Sequence, residues 1–342
     1  MKKHNVQGFK QSKKTPVIVM DKFFKGKILP KNIESLSGWA SLYFKIHVIG
    51  SPKKTEMAKK KDLSKFLDYF AREVGHDRVD GWTPAVTKQF QHELKNKIST
   101  FTNKPYKATT INRVMATVKH FGGWLNKQRP LLAGSPFHAV KDIQTDEPDW
   151  NGLTNRQIMR LKAACEQRLK SCNRADQNPL LETTVFFVLL HTGLRESELT
   201  SLNINQYHHR GFHDVKRKGN RITKKVSVPA EAKEMLDRYL RERKIKNDDP
   251  LFISRYKKRI AAQDVARICL RLSNQASAHL NKSEAFRLTP HMLRHTFLKR
   301  VADKHGVHVA QQMSGNVSIQ EIFRYTKPSQ HEIDETAEEL FK

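Results

Sequence analysis

Two sequence segments place an arginine at the start of a predicted helix, where a bound oxyanion would be stabilised. Within 190–199, an apolar helix is predicted to end near His191, Gly193 breaks it, and Arg195 begins the next helix. A guanidinium there lies beside the unpaired backbone N–H groups of a helix start, which favour phosphate. Glu198 follows three residues later on the same helical face and can fix the guanidinium. An ordinary helix–turn–helix with a surface ion pair would give the same pattern.

The second arginine, Arg294, belongs to another predicted helix start. Thr289 is the predicted N-cap and Pro290 takes the first helical position, so His291 and Arg294 lie three residues apart on one face. Taken alone, a His-x-x-Arg pair is weak evidence in a basic protein. A third segment places Tyr325 in a polar stretch, where a tyrosine is usually just a half-buried aromatic.

Motifs for several other chemistries are missing from the sequence. It contains no Walker-type phosphate loop, no Rossmann glycine fingerprint, no His-Glu-x-x-His zinc motif and no carboxylate cluster suited to two-metal phosphoryl transfer. The histidine-rich stretch 207–213 lacks a supporting cysteine or acidic pattern, so a turn before a hairpin is favoured there over a metal site. The sequence therefore predicts neither a metal nor another cofactor.

The charge of the chain favours a polyanionic partner. Its 342 residues include 63 Lys and Arg against 34 Asp and Glu, a formal net charge of +29. This excess favours nucleic acid first and an anionic membrane surface second. The longest apolar run, about eight residues, is far shorter than the ~20 that span a bilayer. With three cysteines and no secretory signal pattern, the sequence predicts a reducing, intracellular setting.

Composition and periodicity divide the chain into five parts. Residues 1–33 are lysine-rich and interrupted by proline and glycine, which predicts a basic arm with little structure of its own. Helical apolar spacing over 34–141 predicts a small all-α domain, and the acidic stretch 142–152 is the predicted linker. A second, mostly helical domain is predicted over 153–330, followed by a short tail helix at 331–342.

Local signals mark helix starts and one hairpin. Polar residues before apolar helical repeats are predicted to cap three helices: Thr83, Thr109 or Thr110, and Thr154 or Asn155. Gly219-Asn220 separates two strand-like runs within 214–228, which predicts a β-hairpin in the second domain. The sequence therefore predicts a mainly α protein with one small β element.

Taken together, the three segments resemble the tyrosine recombinase family, also called phage-type integrases. The matching motifs lie at 191–199, 289–297 and 324–326, and the resemblance extends over about residues 36–330. Each motif is weak alone, but their order beyond a small helical domain is typical of the family. The resemblance implies a two-domain fold, in which 34–141 is a helical core DNA-binding domain and the catalytic domain is mixed α/β. The two domains would form a clamp around the duplex.

The resemblance assigns roles to individual residues. It implies that Arg195 and Arg294 are the two catalytic arginines and that His291 is the histidine of the His-x-x-Arg box. Tyr325 resembles the nucleophile, and Glu198 would support Arg195. Two arginines can clamp the non-bridging oxygens of a phosphodiester as charge gathers on them. The tyrosine hydroxyl needs that positive surround and a proton acceptor such as His291.

The family also places a catalytic lysine in a β-hairpin, usually just before a glycine at the turn. Lys218 matches that position, and three other hairpin lysines are rivals: Lys216, Lys224 and Lys225. Such a lysine would donate a proton to the leaving 5′ oxygen. The covalent 3′-phosphotyrosine preserves the bond energy, so rejoining needs neither ATP nor a metal.

One position departs from the family pattern. Nine residues before the nucleophile the family usually has His or Trp after a glycine, whereas here Gly315 is followed by Asn316. Asparagine can donate a hydrogen bond to a phosphate oxygen, but it cannot act as an acid or a base. The departure bears on the rate of cleavage or on the assignment of Asn316 to the site.

The resemblance implies a partner and a setting as well. The partner is double-stranded DNA with specific recombination sites, bound by a homotetramer on two sites, in a prokaryotic cytoplasm and in a phage or mobile element. The tail at 331–342 carries five acids, so it is expected to dock on a neighbouring protomer rather than on DNA, with packing in cis as the alternative. Its apolar face is formed by Ile333, Ala337, Leu340 and Phe341.

Two other functions remain open from the sequence. A type IB topoisomerase-like enzyme would share the chemistry, although the compact helical first domain and the tail after Tyr325 argue against it. A site-specific DNA-binding protein with weak cleavage would share the fold, and Asn316 is the residue that suggests it. A covalent protein–DNA adduct would distinguish the enzyme from this second alternative.

Overall fold

The chain forms two compact units, with the boundary between Glu147 and Pro148. The computed structural model describes these ranges: 29–100, 102–145, 151–172, 177–217, 219, 221–243, 249–315, 322–323 and 330–340. The predicted basic arm up to residue 28 and the centre of the predicted linker, residues 146–150, lie outside the described residues.

The first unit is helical. Its described part contains four α-helices: α1 (Leu36–His47), α2 (Lys53–Val74), α3 (Pro84–Asn96) and α4 (Ala108–Gln128). The predicted cap of α3 is confirmed, because the Thr83 side chain accepts a hydrogen bond from the Val86 N–H and Pro84 opens the helix.

The predicted cap of α4 is wrong. The helix begins at Ala108, before both Thr109 and Thr110, and Lys107 is the N-cap without a side-chain hydrogen bond. Only the extended residue just before the first helical one can cap the helix, and both threonines already lie inside the first turn.

Aromatic rings fill the core of the first unit. The buried rings are Trp39, Tyr43, Phe66, Tyr69, Phe70, Trp82, Phe90 and Phe121. Trp82 lies among them, 4.7 Å from the Phe66 ring and stacked at 5.4 Å on Phe121. A glycine makes room for it, since a Cβ built on Gly122 of α4 would lie 2.8 Å from the Trp82 ring.

The second unit contains both helices and a sheet. Its described elements are α5 (Asn155–Ser171), α6 (Pro179–Thr192), α7 (Glu196–Ser201), β1 (Tyr207–His208), β2 (Gly211–Lys216), β3 (Ile222–Ser227), α8 (Ala230–Arg241), α9 (Ala262–Ala276), α10 (Pro290–His305), α11 (Val307–Ser314) and α12 (Gln330–Glu339). Thr154 caps α5 in a reciprocal capping box with Gln157, which confirms the first of its two predicted caps. The fold is mainly α with one small sheet, as the sequence predicted.

The sheet has three antiparallel strands in the order β1-β2-β3, one more than the predicted hairpin. Where a turn was predicted, Tyr207 pairs with Phe212. His209 and Arg210 both have positive φ, 47° and 57°, as a tight two-residue hairpin turn requires. Because neither is a glycine or asparagine, this turn gave no signal in the sequence. The predicted β2–β3 pairing is confirmed, with Phe212 opposite Val226.

Helix α6 lies at the centre of the second unit and contacts α5, α8, α9 and α10. It is buried on nearly every face, including Glu182. That carboxylate is paired on both sides, by Arg168 of α5 at 2.7 Å and Arg271 of α9 at 2.7 Å. Despite its apolar character α6 is short, and none of the helices in the described ranges could cross a membrane.

Candidate active site

The turn between α6 and α7 presents Arg195. Gly193 ends α6 in the left-handed conformation, with φ +62°, and a Cβ there would lie 2.2 Å from the Phe297 ring of α10. Arg195 is then the N-cap residue of α7. Its backbone N–H and its Nη1 both donate to the Glu198 carboxylate, at 2.9 and 2.8 Å. The structure therefore forms the ion pair that the sequence predicted.

Glu198 has a second cationic partner that sequence reasoning missed. Arg217, at the end of β2, donates from Nη1 to Oε2 of Glu198 at 2.5 Å. Burial acts to raise the pKa of Glu198, but the Arg217 charge and the hydrogen bonds from Arg195 outweigh it and hold the pKa below its usual range. The carboxylate thus stays ionised between two guanidinium groups. Arg217 gave no distinct signal, because it lies in a run of basic residues that reads equally well as a DNA-contacting surface.

Arg294 joins three segments of the second unit. The Thr289 side chain caps α10 by accepting from the Met292 N–H, which confirms the predicted helix start. Only 1% of Arg294 is exposed. Its Nη1 donates to the Gly193 carbonyl at 2.6 Å and its Nη2 to the Ser314 carbonyl at 2.9 Å. This guanidinium is therefore held between the end of α6 and the end of α11.

One cavity brings the two arginines and the histidine together. It has a volume of about 240 Å³ and is lined by Arg195, Glu196, Ser197, Pro290, His291 and Arg294. Two fixed positive charges and an imidazole facing one small cavity suit a phosphate group.

The pKa of the His291 imidazole lies below its ordinary value. Burial lowers its pKa first, and the positive charges of Arg294 and Arg195 lower it further. The His295 ring packs edge-on against it at 4.6 Å, and burial, then His291 and Arg294, lowers the pKa of His295 to about 4. A neutral His291 can accept a proton at physiological pH.

Three predicted site residues, Lys218, Asn316 and Tyr325, lie outside the described residues. Their described neighbours are informative, because Arg217 and Gly315 touch. A Cβ built on Gly315 would lie 2.8 Å from Nε of Arg217. The end of β2 and the end of α11 therefore meet beside Glu198.

A metal centre finds no support in the part of the chain that the structure describes. No group of three His, Cys, Asp or Glu side chains there could hold a metal ion. In the histidine-rich stretch, the rings of His208 and His213 stack at 3.8 Å instead.

The chain is similar to known proteins over most of its length. The sequence profile described as the phage integrase family matches residues 151–332, more than half of the chain. The tyrosine recombinase XerD of Oceanobacillus iheyensis is 25% identical over 286 residues, covering 81% of this chain and 88% of the relative. XerC of Pseudomonas syringae pv. tomato is 27% identical over 274 residues, covering 79% and 83%.

Solved structures show the same fold across both units. The Tn1549 transposon integrase in complex with a circular intermediate DNA has a TM-score of 0.66 at 17% identity, covering 88% of this chain and 98% of that one. A lambda integrase dimer bound to a COC′ core site has a TM-score of 0.64 at 14% identity, covering 86% and 95%. From the profile match and the curated relatives, this chain belongs to the phage integrase family and is a tyrosine recombinase, an enzyme that breaks and rejoins DNA.

Proposed function

We propose that this recombinase acts at specific DNA sites through a covalent 3′-phosphotyrosine, with Tyr325 as the nucleophile. The observation that carries the proposal is the single cavity lined by Arg195, His291 and Arg294. The scissile phosphate binds there, and the two guanidinium groups stabilise the charge that gathers on its non-bridging oxygens. Because both groups are anchored before DNA arrives, little reorganisation accompanies the reaction.

Proton transfer completes the reaction. The Tyr325 hydroxyl, with an ordinary pKa of about 10, loses its proton to neutral His291 as its oxygen attacks phosphorus. The P–O5′ bond breaks, and Lys218 protonates the leaving 5′ oxygen. Asn316 contributes a hydrogen bond to a phosphate oxygen. Attack of a 5′ hydroxyl on the phosphotyrosine reverses these steps and rejoins the strands.

A covalent-adduct assay tests the proposal. The substrate is a nicked suicide duplex that carries the recombination site, recovered beforehand by binding selection from random duplexes. Wild type should accumulate an adduct, and Tyr325→Phe should form none while binding with nearly unchanged affinity, because only the phenol oxygen is removed. Tyr256→Phe, at an exposed tyrosine of the same unit, is the matched control. An adduct in Tyr325→Phe would move the nucleophile to another tyrosine, and site-independent relaxation of a supercoiled plasmid would favour a topoisomerase.

The tail helix supports assembly on DNA. Ile333 of α12 is 43% exposed and Leu340, just after the helix, is 74% exposed, so these two apolar side chains are uncovered in the single chain. The acids of this helix would be repelled by DNA, and the tail instead docks on a neighbouring protomer of a tetramer on two sites. Deleting 331–342 should leave half-site binding almost unchanged and sharply reduce cooperative full-site binding in gel-shift titrations. Equal loss on both sites would indicate packing in cis.

The biological setting is a phage or mobile element in a prokaryotic cytoplasm. The transposon and lambda integrases share the fold of both units, which supports this setting. Sequencing of circular junctions from cells expressing wild type or Tyr325→Phe tests it, because only the active enzyme should generate an excised circle.

A further inference from the structure

Arg217 is buried more completely than a DNA-contacting residue should be. Only 2% of its side chain is exposed. Its Nη1 donates to Glu198 and its Nε donates to the Thr223 hydroxyl at 3.0 Å, while its backbone N–H donates to the Arg221 carbonyl at 2.7 Å. The side chain is therefore fixed within the unit and does not reach out toward a ligand.

Glu198 connects this buried arginine to the phosphate cavity. Oε1 accepts from Nη1 of Arg195, and Oε2 accepts from both the Arg195 backbone N–H and Arg217. The carboxylate thus orients the Arg195 guanidinium through Oε1, and Arg217 holds the carboxylate by Oε2. Without Arg217, one oxygen of a buried carboxylate would lose its charged partner.

A second contact leads from Arg217 toward Arg294. Gly315 has φ +65°, and a Cβ there would lie 2.8 Å from Nε and 3.2 Å from Cδ of Arg217. Arg217 therefore packs directly on the glycine that follows Ser314, whose carbonyl accepts from Arg294. Both cavity arginines are linked to this one side chain, through Glu198 and through the turn after α11.

Arg217 also carries a buried donor that its surroundings leave unsatisfied. Its Nη2 is shielded from solvent and has no hydrogen-bond partner among the residues that the structure describes. Such a group is unfavourable for folding, and its retention is more readily explained by a role in the site than by stability.

We propose that Arg217 is a positioning residue of the active site, which holds the Arg195 guanidinium through Glu198 and supports the Arg294 turn through Gly315. This role rests on the proposed function of the cavity as the phosphate site. Arg217 does not touch the DNA. It determines how firmly the Arg195 and Arg294 side chains are held in position at the cavity.

The first test compares cleavage with binding. Arg217→Met should slow adduct formation on the suicide substrate by about 100-fold, the cost of a small misplacement of a catalytic group, while half-site affinity stays within about twofold. Arg217→Lys should recover part of the rate, because an ammonium keeps the charge but cannot bridge Glu198 and Thr223. Arg221→Met, in the same turn with an exposed side chain, controls for lost basic charge and should cleave at the wild-type rate on saturating DNA.

The second test separates positioning from stability. Arg217→Met alone leaves a poorly compensated buried carboxylate and should lower the melting temperature. The double variant Glu198→Gln/Arg217→Met removes both charges, so it should regain thermal stability yet still cleave slowly, because Arg195 has lost its anchor. A double variant that regains both stability and cleavage rate would overturn the proposal, as would Arg217→Met cleaving like wild type.

A spectroscopic measurement tests the positioning of Arg195 without relying on cleavage. In protein labelled with ¹⁵N-arginine, the Arg195 Nε–H resonance, assigned with Arg195→Lys, should shift and broaden in Arg217→Met. An unchanged resonance would overturn the positioning role. If wild type forms no adduct, the proposed function fails, while this resonance still decides whether Arg217 orders Arg195.

Discussion

Among the described residues, the first unit has a core rich in aromatic rings with one buried charge, whereas the second unit buries several charged side chains. Among described residues, the buried polar groups of the first unit are Asp62, Thr87 and Thr117. Within the described ranges of the second unit, the buried acidic and basic side chains are Glu182, Glu198, Arg217, Arg294, His295 and Lys299. Both units also have extensive apolar cores. The difference is therefore that the second unit adds buried charges to such a core.

The difference teaches what phosphate chemistry adds to a helical fold. A buried charge without a partner is strongly unfavourable. Each cation that is held in place before the substrate binds therefore needs a carboxylate or a carbonyl as its partner. Arg195 is paired with Glu198, and Arg294 donates to the carbonyls of Gly193 and Ser314. The first unit has no such cations to hold in place, and its core is built from aromatic and aliphatic side chains, with Asp62 as its one buried charge in the part that the structure describes.

The largest loss of stability that this comparison predicts follows from replacing Glu182. Glu182→Gln removes the charge between Arg168 and Arg271 and should cost about 3–5 kcal/mol of unfolding free energy. Asp62→Asn should cost only about 1–3 kcal/mol, because its partner Arg113 is 50% exposed and water can solvate it. Peptide-resolved hydrogen exchange measures each unit separately. Equal losses in the two units would break the comparison.

The next largest effect should be the loss of cleavage rate when Arg294 is replaced. Arg294→Lys keeps the charge but loses the fork that binds two carbonyls, so adduct formation should fall by about 10²–10³-fold. Single-turnover cleavage of the suicide substrate measures it. Arg300→Lys, on the exposed side of the same helix, is the matched control. A wild-type rate in Arg294→Lys would mean that this buried charge serves the fold alone.

The stability of the second unit should depend on pH through His295. Its folded pKa of about 4 lies below the ordinary value of 6.5, so the unfolded chain binds more protons between these values. Stability therefore rises with pH across this window and falls by about 3 kcal/mol as pH drops from 6.5 to 4. His295→Asn should flatten this slope, as measured by hydrogen exchange at several pH values. Identical slopes would exclude His295 as the titrating group.

The smallest effects distinguish two neighbouring glycines of the ring-filled unit. Gly122→Ala should cost about 1–3 kcal/mol, because its Cβ would meet the Trp82 ring at 2.8 Å. Gly123→Ala meets nothing within 4 Å and should stabilise α4 by about 0.5–1 kcal/mol. Trp fluorescence follows both changes. A harmless Gly122→Ala would show that the ring core is more adaptable than its packing indicates.

Local signals made much of the site predictable from sequence. Gly193 and Thr289 mark a helix end and a helix start, and those two boundaries bring Arg195 and Arg294 to helix starts. The Arg195–Glu198 pair follows from spacing alone. All of these signals lie within a few residues of the groups that they position, which is why a single sequence shows them.

What the sequence could not show depends on contacts between distant segments. Arg217 meets Glu198 nineteen residues away, and nothing in a basic run separates a buried arginine from exposed ones. The β1 strand was missed because its turn uses His209 and Arg210 in the left-handed conformation, which neither residue type signals. At α4, two adjacent threonines suggested a cap that the preceding lysine occupies.

The hydrogen bonds of the Arg294 side chain also determine when the second unit can complete its fold during translation. The Gly193 and Ser314 carbonyls that hold it are separated by 121 residues of chain. A nascent polypeptide that has released the first unit and α6 from the ribosome still lacks both Arg294 and its second anchor. The first unit can fold as soon as it emerges. The cavity that contains Arg294 closes only after residue 314 has left the exit tunnel, so a chain that is still incomplete cannot form it.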